Sequence, residues 1–222
     1  MQIEGLIAPG RNDIDAMNQL VDMMGESFME ENWTRTLLDS IEGATYARKL
    51  ELSRETMRAD FMCGIDYPAC FATPDLAACA GAYLRSDLGE HTWSELEDAA
   101  HEDMAHQLLS ADEARCYTET LEKIAPVSDF DWEAGRAAET GFDDFIHLYV
   151  LGVDKNARGT GAFRRLMEPI FAFADATGVP CYLETYSDTL ISLYEHMGFT
   201  QIKTLETPGV AIKETLMERL PR

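Results

Sequence analysis

Two glycines and an arginine stand between an apolar run typical of a buried strand and a helix-like repeat of apolar residues. Arg158, Gly159 and Gly161 occupy this junction, and glycines let a backbone turn tightly and approach a ligand closely. The first turn of a helix also presents unpaired N–H groups and the positive end of the helix dipole. The combination predicts a binding site for a phosphate group.

The common nucleotide motifs do not match this junction. A dinucleotide site requires G-x-G-x-x-G, and a triphosphate loop requires G-x-x-x-x-G-K followed by Ser or Thr. Here Gly159-Thr160-Gly161 continues into Ala162-Phe163-Arg164, with no third glycine and no Lys-Ser/Thr pair. Both classes of nucleotide site are therefore excluded.

The junction does resemble the acetyl-CoA loop of the GNAT superfamily of N-acetyltransferases. In that pattern, Gln/Arg-x-x-Gly-x-Gly/Ala follows a strand that ends in a Leu-x-Val-Asp-like run. Leu151-Gly-Val-Asp154 precedes Arg158-Gly-Thr-Gly-Ala-Phe163 in this chain, and the family's order continues with Pro180–Thr185 and with Leu193-Tyr-Glu-His-Met-Gly-Phe199. The resemblance covers residues from about 145 to the C-terminus and leaves the acceptor substrate open.

The resemblance implies roles for individual residues. The strand through Leu151–Val153 would hold the thioester and pantetheine through backbone groups, and Arg158–Phe163 would hold the pyrophosphate, helped by Arg164 or Arg165. Tyr194 lies where the family commonly has a general acid near the CoA sulfur. The expected cofactor-binding residues are Leu151, Gly152, Val153, Arg158, Gly159, Thr160, Gly161, Ala162, Phe163, Arg164 and Ser187.

Two of these positions depart from the family pattern. Phe163 replaces a small residue, and Ser187 stands where many relatives carry an asparagine that contacts the cofactor. These departures leave three functions open. The first is an acetyl-CoA-dependent N-acetyltransferase acting on the amine of a small, possibly cationic, molecule, and the second is a non-catalytic acyl-CoA-binding sensor or interaction module. The third is transfer of a different acyl group or transfer to an oxygen acceptor.

Two residues are candidates for the group that takes a proton from the amine. His147 begins the central strand, and the ordinary pKa of histidine suits proton transfer at neutral pH. Glu184 lies inside an otherwise apolar strand, where a carboxylate is unusual unless it faces a cleft. A core histidine, a salt-bridged structural carboxylate and deprotonation by bulk water all remain open.

The charge distribution limits the partners. The chain has 222 residues with a net charge of −22, which disfavours nucleic acid and anionic membranes. Residues 87–144 hold 3 basic and 17 acidic side chains, whereas residues 145–222 hold 8 and 9. The nearly neutral half suits an anionic cofactor. The acidic block is either a solvated surface or an electrostatic funnel for a cationic amine.

Cysteine usage and the chain's first residues point to the cytoplasm. Five widely spaced cysteines without a C-x-x-C motif argue against a disulfide framework or a zinc site. The sequence shows no signal peptide and no apolar run long enough for a membrane span. His101 and His106 are five residues apart on a predicted helix, so both imidazoles cannot reach one metal ion. We therefore expect no metal site.

The remaining patterns predict one α/β domain over residues 1–222, monomeric or homodimeric. We expect helices over 12–30 and over 33–62 with a break at Gly43, then a hairpin over 69–84.

An acidic helical insertion is expected over 87–144. Capping-box spacings at Thr92…Glu95 and Ser110…Glu113 predict two helix starts in it. Its last part, 127–144, is predicted to be a loop with limited helix. The CoA-binding half, 145–222, follows with strand, helix, strand, helix and a terminal hairpin. The fold class implied by the resemblance is a GNAT-like mixed, mostly antiparallel central sheet flanked by helices.

Overall fold

The computed structural model describes residues 1–129 and 131–222 and contains one mixed sheet of six strands, numbered in chain order as β1 (Cys70–Ala72), β2 (Ala78–Leu84), β3 (Ile146–Val153), β4 (Cys181–Thr185), β5 (Thr200–Leu205) and β6 (Glu214–Arg219). Their order in the sheet is β1-β2-β3-β4-β6-β5. Only β3 and β4 pair in parallel, and the other neighbours are antiparallel. The fold is therefore the mixed, mostly antiparallel sheet that was expected.

Helices cover both faces of this sheet. The predicted break at Gly43 is wider than expected, because the second helix already ends at Asp39 and the third begins only at Tyr46. The helices are α1 Ile14–Phe28, α2 Asn32–Asp39, α3 Tyr46–Cys63, α4 Trp93–Leu108, α5 Ala111–Ile124, α6 Trp132–Thr140, α7 Ala162–Thr177 and α8 Asp188–His196, with short 3-10 turns at Arg85–Leu88 and Ala125–Val127.

The segment between β2 and β3 is helical, as the capping patterns predict. Thr92 and Ser110 each accept a hydrogen bond from the backbone three residues on, and the glutamate there caps the helix start in return. The segment 127–144 has more helix than predicted, because Gly135 lies within α6 and Gly141 ends it in the left-handed conformation. Phe130, within this segment, lies outside the described residues.

The two faces of the sheet bury different helices. On one face, α7 and α8 pack with Ile146, Leu148 and Leu183. On the other face, α1 and α3 pack near Cys79 and Val150, and α4 and α6 pack through tryptophans near Tyr83, Tyr182 and Leu216. No helix in the described ranges is long and apolar enough to cross a bilayer.

Strands β3 and β4 separate after a short stretch of parallel pairing. Parallel pairing covers only residues 146–148 against 181–183, whereas β3 stays paired with β2 as far as Val153 and β4 stays paired with β6 as far as Thr185. Tyr149 is an unopposed extra residue, because Leu148 pairs with Ala82 and Val150 with Gly81. A bulge of this kind bends its strand, so β3 and β4 diverge beyond it and leave a gap.

Candidate active site

The predicted phosphate loop connects β3 to α7 through two glycines in the left-handed region. Gly159 has φ +77° and Gly161, the N-cap of α7, has φ +83°, and a Cβ added at either position would meet no atom within 4 Å. No side chain caps the helix, so the amides of its first turn lack intrahelical acceptors. An open glycine surface beside uncapped amides fits a pyrophosphate.

The cations around this loop are exposed and paired with carboxylates. Arg158 Nη1 lies 3.0 Å from Glu30 Oε2, and Lys155 Nζ lies 2.5 Å from Glu26 Oε2. Both glutamates belong to the end of α1 and the residues just after it, so the loop is tied to that helix. The next two arginines pair elsewhere, Arg164 with Glu168 at 3.9 Å and Arg165 with Asp75 at 3.1 Å.

The free edge of β3 faces the gap in the sheet. The Asp154 amide donates to the Ala77 carbonyl on the β2 side, so by strand alternation the backbone groups of Val153 and Leu151 point toward β4. Gly152 has a packing role as well, because a Cβ there would clash with the sulfur of Met24 in α1. The strand thus turns backbone groups toward the gap, where β4 does not pair with them.

Tyr194 of α8 and Phe163 of α7 lie together on the face of the sheet that α7 and α8 cover. Their ring centroids are 6.3 Å apart, and Tyr194 also contacts Phe199 at 6.0 Å. The Phe163 ring therefore packs against the core, while its amide stays in the first turn of α7. Burial, and then the charge of Glu31, raise the pKa of the Tyr194 phenol above its ordinary value, so Tyr194 is protonated at neutral pH.

Ser187 is the N-cap of α8. Its hydroxyl lies 2.9 Å from the Thr189 hydroxyl and does not bond to the backbone of the helix. Ser187 lies two residues beyond Thr185, which ends the paired part of β4.

His147 and Glu184 meet on the opposite face of the sheet. His147 Nε2 lies 2.8 Å from Glu184 Oε2, and His147 Nδ1 lies 3.0 Å from Glu133 Oε1 and 3.1 Å from the Tyr83 hydroxyl. The Trp132 indole N–H donates to Glu184. Glu184 is half-buried, whereas His147 and Glu133 are buried.

The carboxylates set the protonation state of this cluster. Burial alone would lower the pKa of His147, but Glu184 and then Glu133 outweigh it and raise that pKa to about 9. Burial raises the pKa of Glu133, which the charge of His147 opposes. His147 is therefore an imidazolium ion at neutral pH, held between two carboxylates.

A second polar cluster joins α3 to α4. His101 Nε2 lies 2.6 Å from Asp60 Oδ1, and Glu97 stands one turn before His101 on the same helix face. His106 is exposed, so the two histidines are apart, as the helical spacing predicts. Asp60, Glu97 and His101 bring ligand-type atoms within 4.8 Å of one another, as do Glu133, His147 and Glu184. Because both nitrogens of His147 and Nε2 of His101 already contact carboxylates, a metal ion bound at those atoms would have to displace the contacts.

Sequence reasoning missed several residues of this face, among them Tyr83, Glu133 and Glu97. Their partners come from distant segments, for example 64 residues apart for Tyr83 and His147. The acidic excess of residues 87–144 was the only signal, and it does not identify which of the carboxylates are buried.

The connection between α1 and α2 spans the mouth of the gap. The Ser27 hydroxyl lies 3.5 Å from the Val153 carbonyl oxygen on the β3 side. On the β4 side, the Asn32 amide donates to the Tyr186 carbonyl at 2.5 Å, and the Trp33 ring lies 5.1 Å from the Tyr186 ring. Glu31, between them, caps α2 through two backbone N–H groups. The first two helices thus close one end of the site.

Comparison with known proteins agrees with this architecture. Residues 130–199 match the acetyltransferase (GNAT) family. Over 57 residues the chain is 42% identical to an uncharacterised N-acetyltransferase of Schizosaccharomyces pombe, a match that covers 26% of this chain and only 23% of that protein.

Solved structures similar over nearly the whole chain have the same fold at low identity. Arylalkylamine N-acetyltransferase 2 from Aedes aegypti superposes with a TM-score of 0.57 at 10% identity, covering 98% of both chains. A protein from Corynebacterium glutamicum described as histone acetyltransferase HPA2 and related acetyltransferase gives 0.56 at 17% identity, covering 100% of this chain and 98% of that one. The similar structures confirm the fold class, and the family match over residues 130–199 confirms the resemblance to the GNAT superfamily.

Proposed function

We propose that this chain is an acetyl-CoA-dependent N-acetyltransferase that acts on the amine of a small molecule. The observation that carries the proposal is the gap between β3 and β4. An uncapped, glycine-walled helix start lies at one end of it, with a protonated tyrosine on one face of the sheet and a half-buried carboxylate on the other. The family match of residues 130–199 supports the same activity.

The residues present fit the cofactor. The amides after Gly161, together with Arg158, would hold the pyrophosphate, and the backbone groups of Leu151 and Val153 that face the gap would hold the pantetheine arm. Ser187, at the start of α8, has a hydroxyl bonded only to another side chain, which suits a cofactor contact. When bound, acetyl-CoA supplies an acetyl group activated as a thioester.

Glu184 is the group that we assign to the proton of the amine. An amine attacks a carbonyl only in its neutral form, so an acceptor that arrives protonated must lose a proton. His147 is itself protonated and buried, so its role is to hold Glu184 in position rather than to act as the base. The half-buried Glu184 carboxylate is the member of the pair that an amine can reach.

Tyr194 is the group that we assign to the departing thiolate. Because its pKa is raised by burial, the phenol keeps its proton at neutral pH and can donate it at the end of the reaction. Backbone N–H groups of β3 that face the gap would polarise the acetyl carbonyl.

A thiol-release assay with acetyl-CoA tests the proposal across polyamines, amino acids, aminoglycosides and peptide N-termini. We expect release of CoA that depends on an amine. Calorimetric binding of acetyl-CoA with no turnover on any amine would instead favour the non-catalytic acyl-CoA-binding module.

The five cysteines are all free, which supports a reducing, cytoplasmic setting.

A further inference from the structure

The face of the sheet that carries His147 has more negative charge than its own cations neutralise. Four carboxylates lie there: Asp60 pairs with His101, Glu133 and Glu184 pair with His147, and Glu97 lies within 4.8 Å of Asp60 and His101 without an ion pair of its own. Within residues 1–129 and 131–222, no lysine or arginine forms an ion pair with any of the four. Buried carboxylates without a counter-ion are costly, so this face favours a cationic ligand.

Glu133 has an oxygen with no partner. The residue is 4% exposed, and its Oε1 accepts a hydrogen bond from the Tyr83 hydroxyl and contacts His147. Its Oε2 is buried and lacks any hydrogen bond in the part of the chain that is described. A buried polar atom left unpaired is destabilising, and a donor on a ligand would offset that cost.

Glu97 of α4 is a second carboxylate without a partner. Its side chain is half-buried and forms no hydrogen bond or ion pair with the described residues. Burial and the charge of Asp60 raise its pKa to about 7. Glu97 also raises the pKa of His147 and of Tyr83, which both contact Glu133. Trp93 lies one helical turn before Glu97 in α4 and stacks on Tyr83, whose hydroxyl donates to Glu133, so the two carboxylates flank the same pair of stacked rings.

Aromatic rings border these two carboxylates. Tyr83 stacks on Trp93 with centroids 4.7 Å apart and an interplanar angle of 13°, and Trp93 contacts Tyr149 at 4.2 Å. Carboxylates next to aromatic faces are a setting that attracts organic cations.

We propose that Glu97 and Glu133 form a subsite for a second positive charge on the acceptor. This inference rests on the proposed function: the reacting amine lies at Glu184, and the rest of the acceptor extends past His147 toward α4 and α6. The acceptor class is then a small aliphatic amine with a second cationic group, such as another amine or a guanidinium. A monoamine would leave the subsite empty.

A matched substrate series tests the subsite. The rates of CoA release are compared for α,ω-diamines from propane to hexane and for n-alkylamines of the same length. We expect wild-type kcat/KM to favour the best diamine at least tenfold over its monoamine. Glu97→Gln should remove most of that preference, because it should raise KM for the diamine at least tenfold more than KM for the monoamine. Glu102→Gln, exposed on the same helix, is the control and should keep the preference.

The outcomes separate the two proposals. Equal use of diamines and monoamines, or a preference that survives Glu97→Gln, overturns the subsite and leaves the acetyltransferase standing. Absence of CoA release with every amine counts against the proposed function. In that case calorimetry with the same diamines decides the subsite: at least tenfold weaker binding to Glu97→Gln than to the wild type and Glu102→Gln supports it, and equal or undetectable binding overturns it.

Discussion

Arg158 of the phosphate loop lies 3.0 Å from Glu30, which follows α1. Both side chains are exposed, and an exposed pair of this kind contributes only about 0.2–1 kcal/mol. A pyrophosphate carries more charge than one carboxylate, so it can take Arg158 from Glu30. The segment after α1, which carries Glu30, also spans the mouth of the gap. The Arg158–Glu30 ion pair therefore links cofactor binding to the acceptor side of the site.

The first prediction concerns that ion pair. Arg158→Gln should weaken acetyl-CoA binding about tenfold, because it removes a charge-assisted contact to phosphate. Glu30→Gln should tighten binding by up to about fivefold, because Arg158 no longer has to leave a partner. Calorimetry measures both. Arg11→Gln removes a similarly exposed arginine, paired with Asp66, and should leave affinity unchanged. Equal affinity in all three variants would place the phosphate elsewhere.

The second prediction compares the two glycines that bound α7. Gly161 and Gly178 both have a positive φ and open space where a Cβ would lie, so alanine at either should cost about 1–2 kcal/mol of stability. Only Gly161→Ala, at the helix start, should also weaken acetyl-CoA binding, by about tenfold. Thermal unfolding and calorimetry on the pair separate the effects. Similar affinity losses in both variants would mean that strain, rather than position, explains the change.

The third prediction tests the proton donor. Tyr194→Phe keeps the ring that packs on Phe163 and Phe199 and should lower kcat about 100-fold through the lost proton. Acetyl-CoA affinity and the unfolding temperature should stay the same. Tyr46→Phe, at an exposed tyrosine, controls for the substitution itself. Unaltered kcat in Tyr194→Phe would show that the thiolate leaves without help from this residue.

The fourth prediction tests Glu184. Glu184→Gln should reduce kcat/KM about 100-fold at neutral pH, because the carboxylate that takes the amine proton is lost. The defect should shrink as pH rises toward the pKa of the amine, since the acceptor then arrives neutral. The measurement is a pH profile of CoA release for both proteins, with Glu42→Gln, at an exposed position, as the control. A defect of the same size at every pH would assign Glu184 to structure.

The fifth prediction is a change of stability with pH. The pKa of His147 is about 9 in the folded protein and about 6.5 for an ordinary histidine, so its contribution is complete below pH 6.5 and is lost as pH rises through 9. Buried tyrosines and cysteines with raised pKa values also destabilise the fold at high pH. The test is therefore the difference between wild type and His147→Gln in urea unfolding. That difference should be about 3–5 kcal/mol at pH 6 and should narrow by pH 10, and a constant difference would contradict the protonated state.

The sequence predicts best what is local. The strand through Val153, the turn at Gly161 and the cap at Thr92 each depend on residues within a few positions of one another, and the structure has all three. The surroundings of His147 depend instead on Glu133 and Glu184, which approach from opposite sides along the chain, 14 residues before it and 37 after it.

The helix around His101 shows the same limit. Helical geometry excludes a metal shared by His101 and His106, and the structure keeps them apart. The same geometry could not reveal that His101 pairs with Asp60, 41 residues away on another helix. Helical periodicity predicts which residues share a face of a helix, but it does not predict which residues of other elements that face contacts.

The parting of β3 and β4 divides the sheet into two three-stranded leaves, β1-β2-β3 and β4-β6-β5, joined by three parallel residue pairs. The width of the cleft is therefore governed by the angle between these two three-stranded parts of the sheet and not by the length of any surface loop. Residues far from the chemistry, such as Ala82 and Met217 beneath the join, thereby help to set the spacing at which two reactants meet.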